Sequence, residues 1–543
     1  MSTAPHWLNP KKRIKISPTL FLPPIYFWQS PFSKLKYASS CDQKIISTGL
    51  TLTMHIQQFS QHPNHNEFDH HAHWVMIVPS EFFTHAQNLP YQHLFQQRLN
   101  RRLSKTSSVL SIELPNALAS VLSLKTCAPD SSFFEKLSIA RELIEVHQDY
   151  LPKTIAICIA GFPAKIATEF ADALIAAIGA AQAALPDYRK QPKPVWHIEK
   201  VILYGAQGDF QQTLASNAGN NLARYFSILP SNYLNPLIYR EKVLALAELN
   251  HWQVNFYDLD ALENQQAGAF LAVTQAAEQA GSGILHLRYQ PKINSSHHKV
   301  ALVGKGVCFD TGGLHLKTRK GMTGMHEDMQ GSAVALGTLL ALTQLQVPYQ
   351  VDCWLALAEN HISPTAYKPH DVVTASNGVS IEIVDTDAEG RMLLADTLVL
   401  ACRQQPDILL DYATLTGACV NALGTRYSGI FTNREALLAQ LVATGKTSGE
   451  RVWGFPLDAD YDEILKSEVA DIKQCTQDSE VDHILAARFL KRFVEDSVAW
   501  VHLDLSSSHC KQGLGHIPTD TTGFGVRYSV CLLQQSALWE ALD

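Results

Sequence analysis

Two short segments gather most of the side chains in this sequence that are fit for chemistry. The first, Val303-Gly-Lys-Gly-Val-Cys-Phe-Asp-Thr-Gly-Gly313, runs on through Lys317 to Asp328; the second is Asp385-Thr-Asp-Ala-Glu-Gly-Arg391. If Asp387 to Glu389 continues extended from a strand, residues two apart point to the same side. Two carboxylates so placed, with an arginine two residues on, are costly unless cations neutralise them. Asp310 and Asp328 would add oxygens from the first segment. Four converging carboxylates suit a pair of divalent cations, which two-metal hydrolases hold ~3.5–4 Å apart. The surrounding glycines let the backbone approach closely. Other readings stay open on spacing alone. Asp387-x-Glu389 also occurs on solvated surfaces. Gly-Lys-Gly lacks the Gly-x4-Gly-Lys-Ser/Thr spacing of a phosphate loop. Cys308 has no evident base beside it and reads as a packing residue rather than a nucleophile.

These segments need elements to hold them. From about residue 299 the pattern is α/β: strands at Lys299–Val303, Gln350–Ala358, Val379–Val384 and Asp407–Leu415, with helices at Gly331–Leu345 and Arg391–Cys402. Both chemical segments are expected directly after a strand, where α/β sheets collect their chemistry. Upstream, His73–Val78, Thr154–Ile159 and Val201–Tyr204 read as strands and Ala167–Leu185 as a helix, the alternation of a smaller α/β domain. A further helical pattern runs from Asn217 through Ile228. The expected organisation is an extension over 1–53, an N-terminal α/β domain over 54–205, a linker over 206–224 and a catalytic domain with a mixed sheet over 225–543. In the extension, Lys11-Lys12-Arg13 and the apolar Thr19–Phe32 imitate a signal peptide, but Pro23, Pro24 and Pro31 break the run and no small-residue cleavage site follows. Met54 is the alternative start, which the intact mass of the natively expressed protein tests. The histidine-rich run His62–His73 lacks the spacing of a ligand set and reads as a polar loop.

Composition narrows the class. At 543 residues the chain calls for more than one core. With 46% apolar and 17% charged residues it is globular rather than disordered. A net charge of -7 argues against nucleic acid and anionic membrane as partners, since both favour a basic surface. The ten cysteines include no Cys-x-x-Cys pair, which speaks for free thiols in a reducing cytoplasm. Ala173–Pro186, the longest apolar stretch, falls short of the ~20 residues that span a bilayer.

At the two chemical segments the sequence resembles the leucyl aminopeptidases, cytosolic dinuclear metallopeptidases. Val303–Gly313 is similar to that family's first signature, and Thr386-Asp-Ala-Glu-Gly-Arg391 reproduces its second. Ala358-Glu-Asn360, Ala366-Tyr367, Pro369, Asp371–Thr374, Ala413–Ala418 and Thr522–Arg527 match in order, so the resemblance covers roughly 220–543. It implies that Asp310 and Glu389 bridge two divalent ions, that Asp387 completes one shell, and that Asp328 and the Lys305 amine complete the other. It implies that a water bridging the metals attacks the peptide carbonyl, that Lys317 polarises that carbonyl, and that Arg391 holds a bicarbonate acting as general base. Met325, Thr414, Leu415 and Gly417 would line the substrate pocket. The ligand chemistry admits Zn2+, Mn2+, Co2+ or Mg2+, with Mn2+ and Zn2+ preferred. Substrates would be peptides with a free N-terminus, the assembly a homohexamer, and the N-terminal domain similar to a macrodomain.

The sequence also departs from that family. Asp385 stands where asparagine is usual, Gln330 where glycine is, and Ser506-Ser507 where Ala-Gly is. Val481-Asp-His-Ile-Leu485 replaces small residues, so Asp482 and His483 are expected to narrow the pocket or make it polar, moving preference away from leucine. The rival reading is a hexameric pseudoenzyme whose pocket this stretch closes. A nucleotide-binding N-terminal module is a second rival, without a Gly-rich phosphate loop to support it.

Overall fold

The computed structural model describes residues 54–79, 90–100, 109–124, 132–277, 281–292, 296–477 and 480–542. The expectations for 1–53 lie outside them.

The upstream strands are short apolar runs that pair into one sheet. In order across it they are His55–Phe59, Lys200–Tyr204, Thr154–Ile159, His73–Pro79, Leu118–Leu124 and Val109–Glu113. All neighbours are parallel except the last pair. Helices Phe133–Glu145 and Ala164–Ala181 cover one face, closing a core around Ile155, Ile157, Leu174 and Ile178. The His62–His73 run contributes a helix, His65–Asp69, capped by Asn64 and Glu67, rather than a continuous loop.

The second sheet has eight strands in the order Val452–Gly454, Ser428–Thr432, Ala499–Asp504, Ile408–Ala413, Lys299–Asp310, Gln350–Asn360, Gly283–Tyr289 and Gln253–Tyr257. Its four central strands are parallel, the pairings on either side of them are antiparallel, and the edge pair Val452–Gly454 with Ser428–Thr432 is parallel again, the mixed sheet expected. Central strands buried on both faces read as near-continuous apolar runs, which is how Ile408–Ala413 and Gln350–Asn360 read here. Helix Gln330–Gln344 packs on one face and Glu389–Cys402 on the other, in separate apolar clusters.

Two expectations need correction. The Lys299 strand does not stop at Val303 but continues to Asp310, paired with Gln350–Asn360 along its length. Gly304 is no loop signal: helix Gln330–Gln344 crosses there so closely that a Cβ would stand 2.4 Å from the Ser332 Cα. The stretch 206–224 is likewise no free linker. Helix Gln211–Ile228 occupies most of it and packs against both Ala164–Ala181 and Gln330–Gln344. Its polar residues mislead, because they are buried and their donors reach other elements: Asn217 donates to the Ile175 carbonyl, Arg224 to that of Ala180, and Asn220 to that of Thr522. Arg527 adds a second tie between the two halves, with Nη2 2.6 Å from Asp172 and Nε donating to the Ser448 carbonyl. Among the described residues no helix is long and apolar enough to cross a membrane.

Candidate metal centre

The centre lies at the C-terminal ends of the parallel strands. Lys305 sits within the Lys299–Asp310 strand and Asp310 ends it. Asp328 follows a short 3-10 turn, Met325–Glu327, just before helix Gln330–Gln344. Asp387 lies in a turn, and Glu389 opens helix Glu389–Cys402. The extended Asp387–Glu389 geometry expected from the spacing is therefore absent. What brings the two carboxylates together is a turn from Asp385 into a helix, with the Asp387 N–H donating to Asp385 Oδ1.

Lys305 Nζ lies 2.8 Å from Asp328 Oδ2 and 3.0 Å from Glu389 Oε1, and donates to the Thr414 carbonyl. Lys317 Nζ lies 2.7 Å from Asp310 Oδ2 and 2.6 Å from Asp387 Oδ1. Gly390 makes this reach possible: a Cβ there would stand 2.9 Å from the Lys305 Nζ and 2.7 Å from its Cε. Asn360, ending the Gln350 strand, donates Nδ2 to Asp310 Oδ1 at 2.8 Å and to the Thr386 carbonyl at 3.0 Å.

Charge is crowded at this point. Burial, then Asp310, pushes the Glu389 carboxyl up to about 8 and the Asp387 carboxyl up to about 6. Burial also raises Asp328, against the pull of Lys305. Burial disfavours both lysine charges, but the carboxylates outweigh it, Asp328 and Glu389 foremost at Lys305 and Asp310 at Lys317, and both ammonium groups are held above their usual range. Two lysines do not exhaust the oxygens. Asp328 Oδ2 and Asp387 Oδ1, each beside an ammonium, receive no well-directed hydrogen bond. Asp310, Asp387 and Glu389 offer ligand atoms within 4.8 Å of one another. Buried carboxylates in excess, with lone pairs unused and pKa values driven upward, fit divalent cations.

The cluster opens into a cavity of about 680 Å³. Lys305, Asp310, Lys317, Met325, Asp328, Asp387, Glu389, Thr414, Leu415 and Gly417 all line it. Thr414 donates to Asp328 Oδ1 at 2.7 Å, and Asp504 accepts from the Leu415 and Thr416 N–H groups and the Thr416 hydroxyl, so the strip from 414 to 417 is anchored.

Arg391, Asp482 and His483 are not among the lining residues. Arg391 is buried in its helix, with Nη2 2.8 Å from both oxygens of Asp482 and Nη1 donating to the Gln474 carbonyl. The residues do not fit a bicarbonate on Arg391, because a carboxylate of the chain already takes Nη2, a carbonyl takes Nη1, and Nε alone is left. His483 packs edge-on against Phe455 at 4.5 Å. The expected narrowing of the pocket by Asp482 and His483 thus does not occur, nor does stretch 481–485 close it. Asp385 stays beside the cluster: its Oδ1 accepts from the Asp387 N–H and lies 2.7 Å from His315 Nδ1.

Sequence reasoning missed one pair in the cavity wall, Glu327 and His509. Glu327 Oε2 lies 3.0 Å from His509 Nδ1 and accepts from Gln330, while Oε1 accepts from Thr521. The substitution at Gln330 was the available signal, since a side chain there gives Glu327 a partner that glycine lacks.

A mixed α/β sheet carrying a buried carboxylate–lysine cluster at its strand ends is the construction of a metal-dependent hydrolase. Known proteins agree. The model of the cytosol aminopeptidase family's catalytic domain matches residues 221–530. A probable cytosol aminopeptidase of Gloeobacter violaceus is 41% identical over 331 residues, 60% of this chain and 65% of that protein. Another, of Chlorobaculum tepidum, is 36% identical over 64% of this chain and 69% of that protein. A mutant tomato leucine aminopeptidase superposes with a TM-score of 0.75 at 26% identity, over 88% of this chain and 96% of that one. The bottromycin maturation enzyme BotP superposes at 0.72 with 27% identity, over 87% and 100%. The chain belongs to the cytosol aminopeptidase family, and its catalytic domain is of the leucyl-aminopeptidase-like hydrolase type.

Proposed function

We propose that this protein is a metal-dependent aminopeptidase that releases the first residue from peptides with a free N-terminus. The carrying observation is the convergence of Lys305, Asp310, Asp328, Asp387 and Glu389, from separate segments, on one cavity beside Lys317. Two divalent ions per chain, Mn2+ or Zn2+, suit this set. Asp328 and Lys305 stand at one end of the cluster and Asp387 at the other, with Asp310 and Glu389 between them through Asn360. Such ions supply Lewis acidity, polarising a carbonyl and lowering the pKa of water. A lysine ligand must be neutral, and a neighbouring dication lowers its pKa enough for that.

Lys317 keeps its proton through Asp310 and points its ammonium into the cavity. There it donates to the carbonyl oxygen as negative charge develops, an electrostatic contribution of a few kcal/mol. Met325, Thr414, Leu415 and Gly417 form the wall against which the first side chain rests. A substrate's free, neutral α-amine would bind one of the ions directly, which accounts for action at the N-terminus. We place the enzyme in the cytoplasm, as a homohexamer, with neither nucleic acid nor membrane as partner. The relatives' printed names support the cytoplasm and the acidic net charge the absence of nucleic acid and anionic membrane; the hexamer rests on the family resemblance alone.

Hydrolysis of leucyl-anilide with and without Mn2+, with EDTA as control, tests the activity, and light scattering tests the hexamer. Metal-dependent release of leucine, abolished by EDTA, is expected. No metal-dependent turnover on any aminoacyl substrate overturns the reading.

A further inference from the structure

Arg391 lies two residues after Glu389 on the same helix, and its guanidinium is 2% exposed. A planar cation so deeply buried needs an anion, and the fork of an arginine is shaped for the two oxygens of a carboxylate or a similar small oxyanion. Both Asp482 oxygens lie 2.8 Å from Nη2. Nη1 is committed to the Gln474 carbonyl at 3.1 Å. Only Nε lacks a partner among the described residues, and it is buried. A single N–H cannot hold an ion by two oxygens, and a second anion there would face the Asp482 charge in a site shielded from water.

Asp482 is well supported in this position. It is the first residue of helix Asp482–Lys491, where the unsatisfied N–H groups of the first turn favour a negative charge. The charges match one to one, so Arg391 has no positive charge left over for an external anion.

We propose that Asp482 is a built-in occupant of the oxyanion seat on Arg391, so that the enzyme neither binds bicarbonate there nor depends on it. Asp482 is a positioning residue: it acts through Arg391 and does not border the cavity. The rate part of this inference rests on the aminopeptidase reading; the binding part does not.

The test compares wild type, Asp482→Ala and Asp482→Asn as metal-loaded proteins in carbonate-free buffer and with added bicarbonate, chloride serving as the ionic-strength control. Binding is read by relaxation of 13C-bicarbonate on the Mn2+-loaded protein and by the shift in Tm. Added bicarbonate should change wild-type kcat by less than about twofold, small beside the ~10²–10⁴-fold that a lost acid–base partner costs. Wild type should show neither 13C relaxation nor a Tm shift. Asp482→Ala, with the seat open, should bind 13C-bicarbonate, gain Tm from it, and recover kcat on the order of tenfold with KM little changed. Asp482→Asn keeps the volume and blocks the seat, so it should not bind. Should Asp482→Ala fold only when bicarbonate is present, that dependence supports the proposal in itself. Bicarbonate binding by wild type, or an Asp482→Ala protein that folds and binds none, overturns it. Wild type inactive on every aminoacyl-anilide strikes the aminopeptidase reading instead and leaves the binding results to decide this one.

Discussion

Asn360 Nδ2 donates a 2.8 Å hydrogen bond to Asp310 Oδ1, tying the end of one central strand to the end of its neighbour. The same amide reaches the Thr386 carbonyl and approaches Glu389 Oε2 at 3.4 Å. One neutral side chain thus orients two of the carboxylates proposed as metal ligands. Groups that orient metal ligands are worth 10–100-fold in affinity. Asn360→Ala should weaken divalent-ion binding by about that factor, read by calorimetric titration of the metal-free protein. Unchanged affinity would show that Asn360 only packs.

Lys317 is expected to act on the reacting carbonyl rather than on the metals. Lys317→Met should lower kcat on the order of 10²–10³-fold while two ions per chain are retained, by comparison with the loss of one oxyanion donor. Elemental analysis alongside steady-state kinetics separates these effects. A variant that loses metal together with activity would move Lys317 into a structural role.

Gly390 leaves room for the Lys305 amine. Gly390→Ala puts a methyl group within 2.9 Å of Nζ, and Lys305 is held among Asp328, Glu389 and the Thr414 carbonyl, with little freedom to withdraw. Alanine suits the first turn of a helix, so the helix itself should still form. The expected result is a folded protein, its Tm lowered by the crowding, that binds one divalent ion where wild type binds two. Two ions bound with wild-type affinity would refute the crowding.

His147 sets an acid limit on the N-terminal sheet. It is fully buried, with Nε2 3.0 Å from Ser120 Oγ and Nδ1 3.1 Å from His73, and burial followed by the charge of His73 pushes it down to about 4. A folded-state value below the unfolded one means that the folded state favours the neutral ring. That stability is full above pH ~6.5 and is lost as pH falls toward 4, amounting to roughly 3 kcal/mol. Amide exchange in the Leu118–Leu124 strand should accelerate over this window in wild type and much less in His147→Gln. Equal pH dependence in the two proteins would exclude His147 as the cause.

How much of this was legible beforehand differs from residue to residue. Thr154–Ile159 is a strand with the bounds its apolar run predicts, because a buried parallel strand is marked by local composition. The sequence pattern ends the Lys299 strand too early, because Gly304 and Gly306 look like loop residues until a crossing helix is placed above them. Helix Gln211–Ile228 looks partly like a linker in sequence, because its asparagines and arginine find their buried carbonyl partners on other elements.

The sequence by itself pointed to the residues proposed for the site. Lys305, Asp310, Asp328, Asp387 and Glu389 are carried by two contiguous strings whose residue types and spacing are local properties of the chain. Tertiary structure decided which partners those residues meet. Asp387 and Glu389 converge through a turn into a helix, not along a strand. Asp482, 91 residues beyond Arg391, meets it only because helix Asp482–Lys491 packs beside helix Glu389–Cys402. Spacing along a chain can place groups on one face of one element. Which charge neutralises a buried arginine depends on how separate elements dock, and no local pattern encodes that.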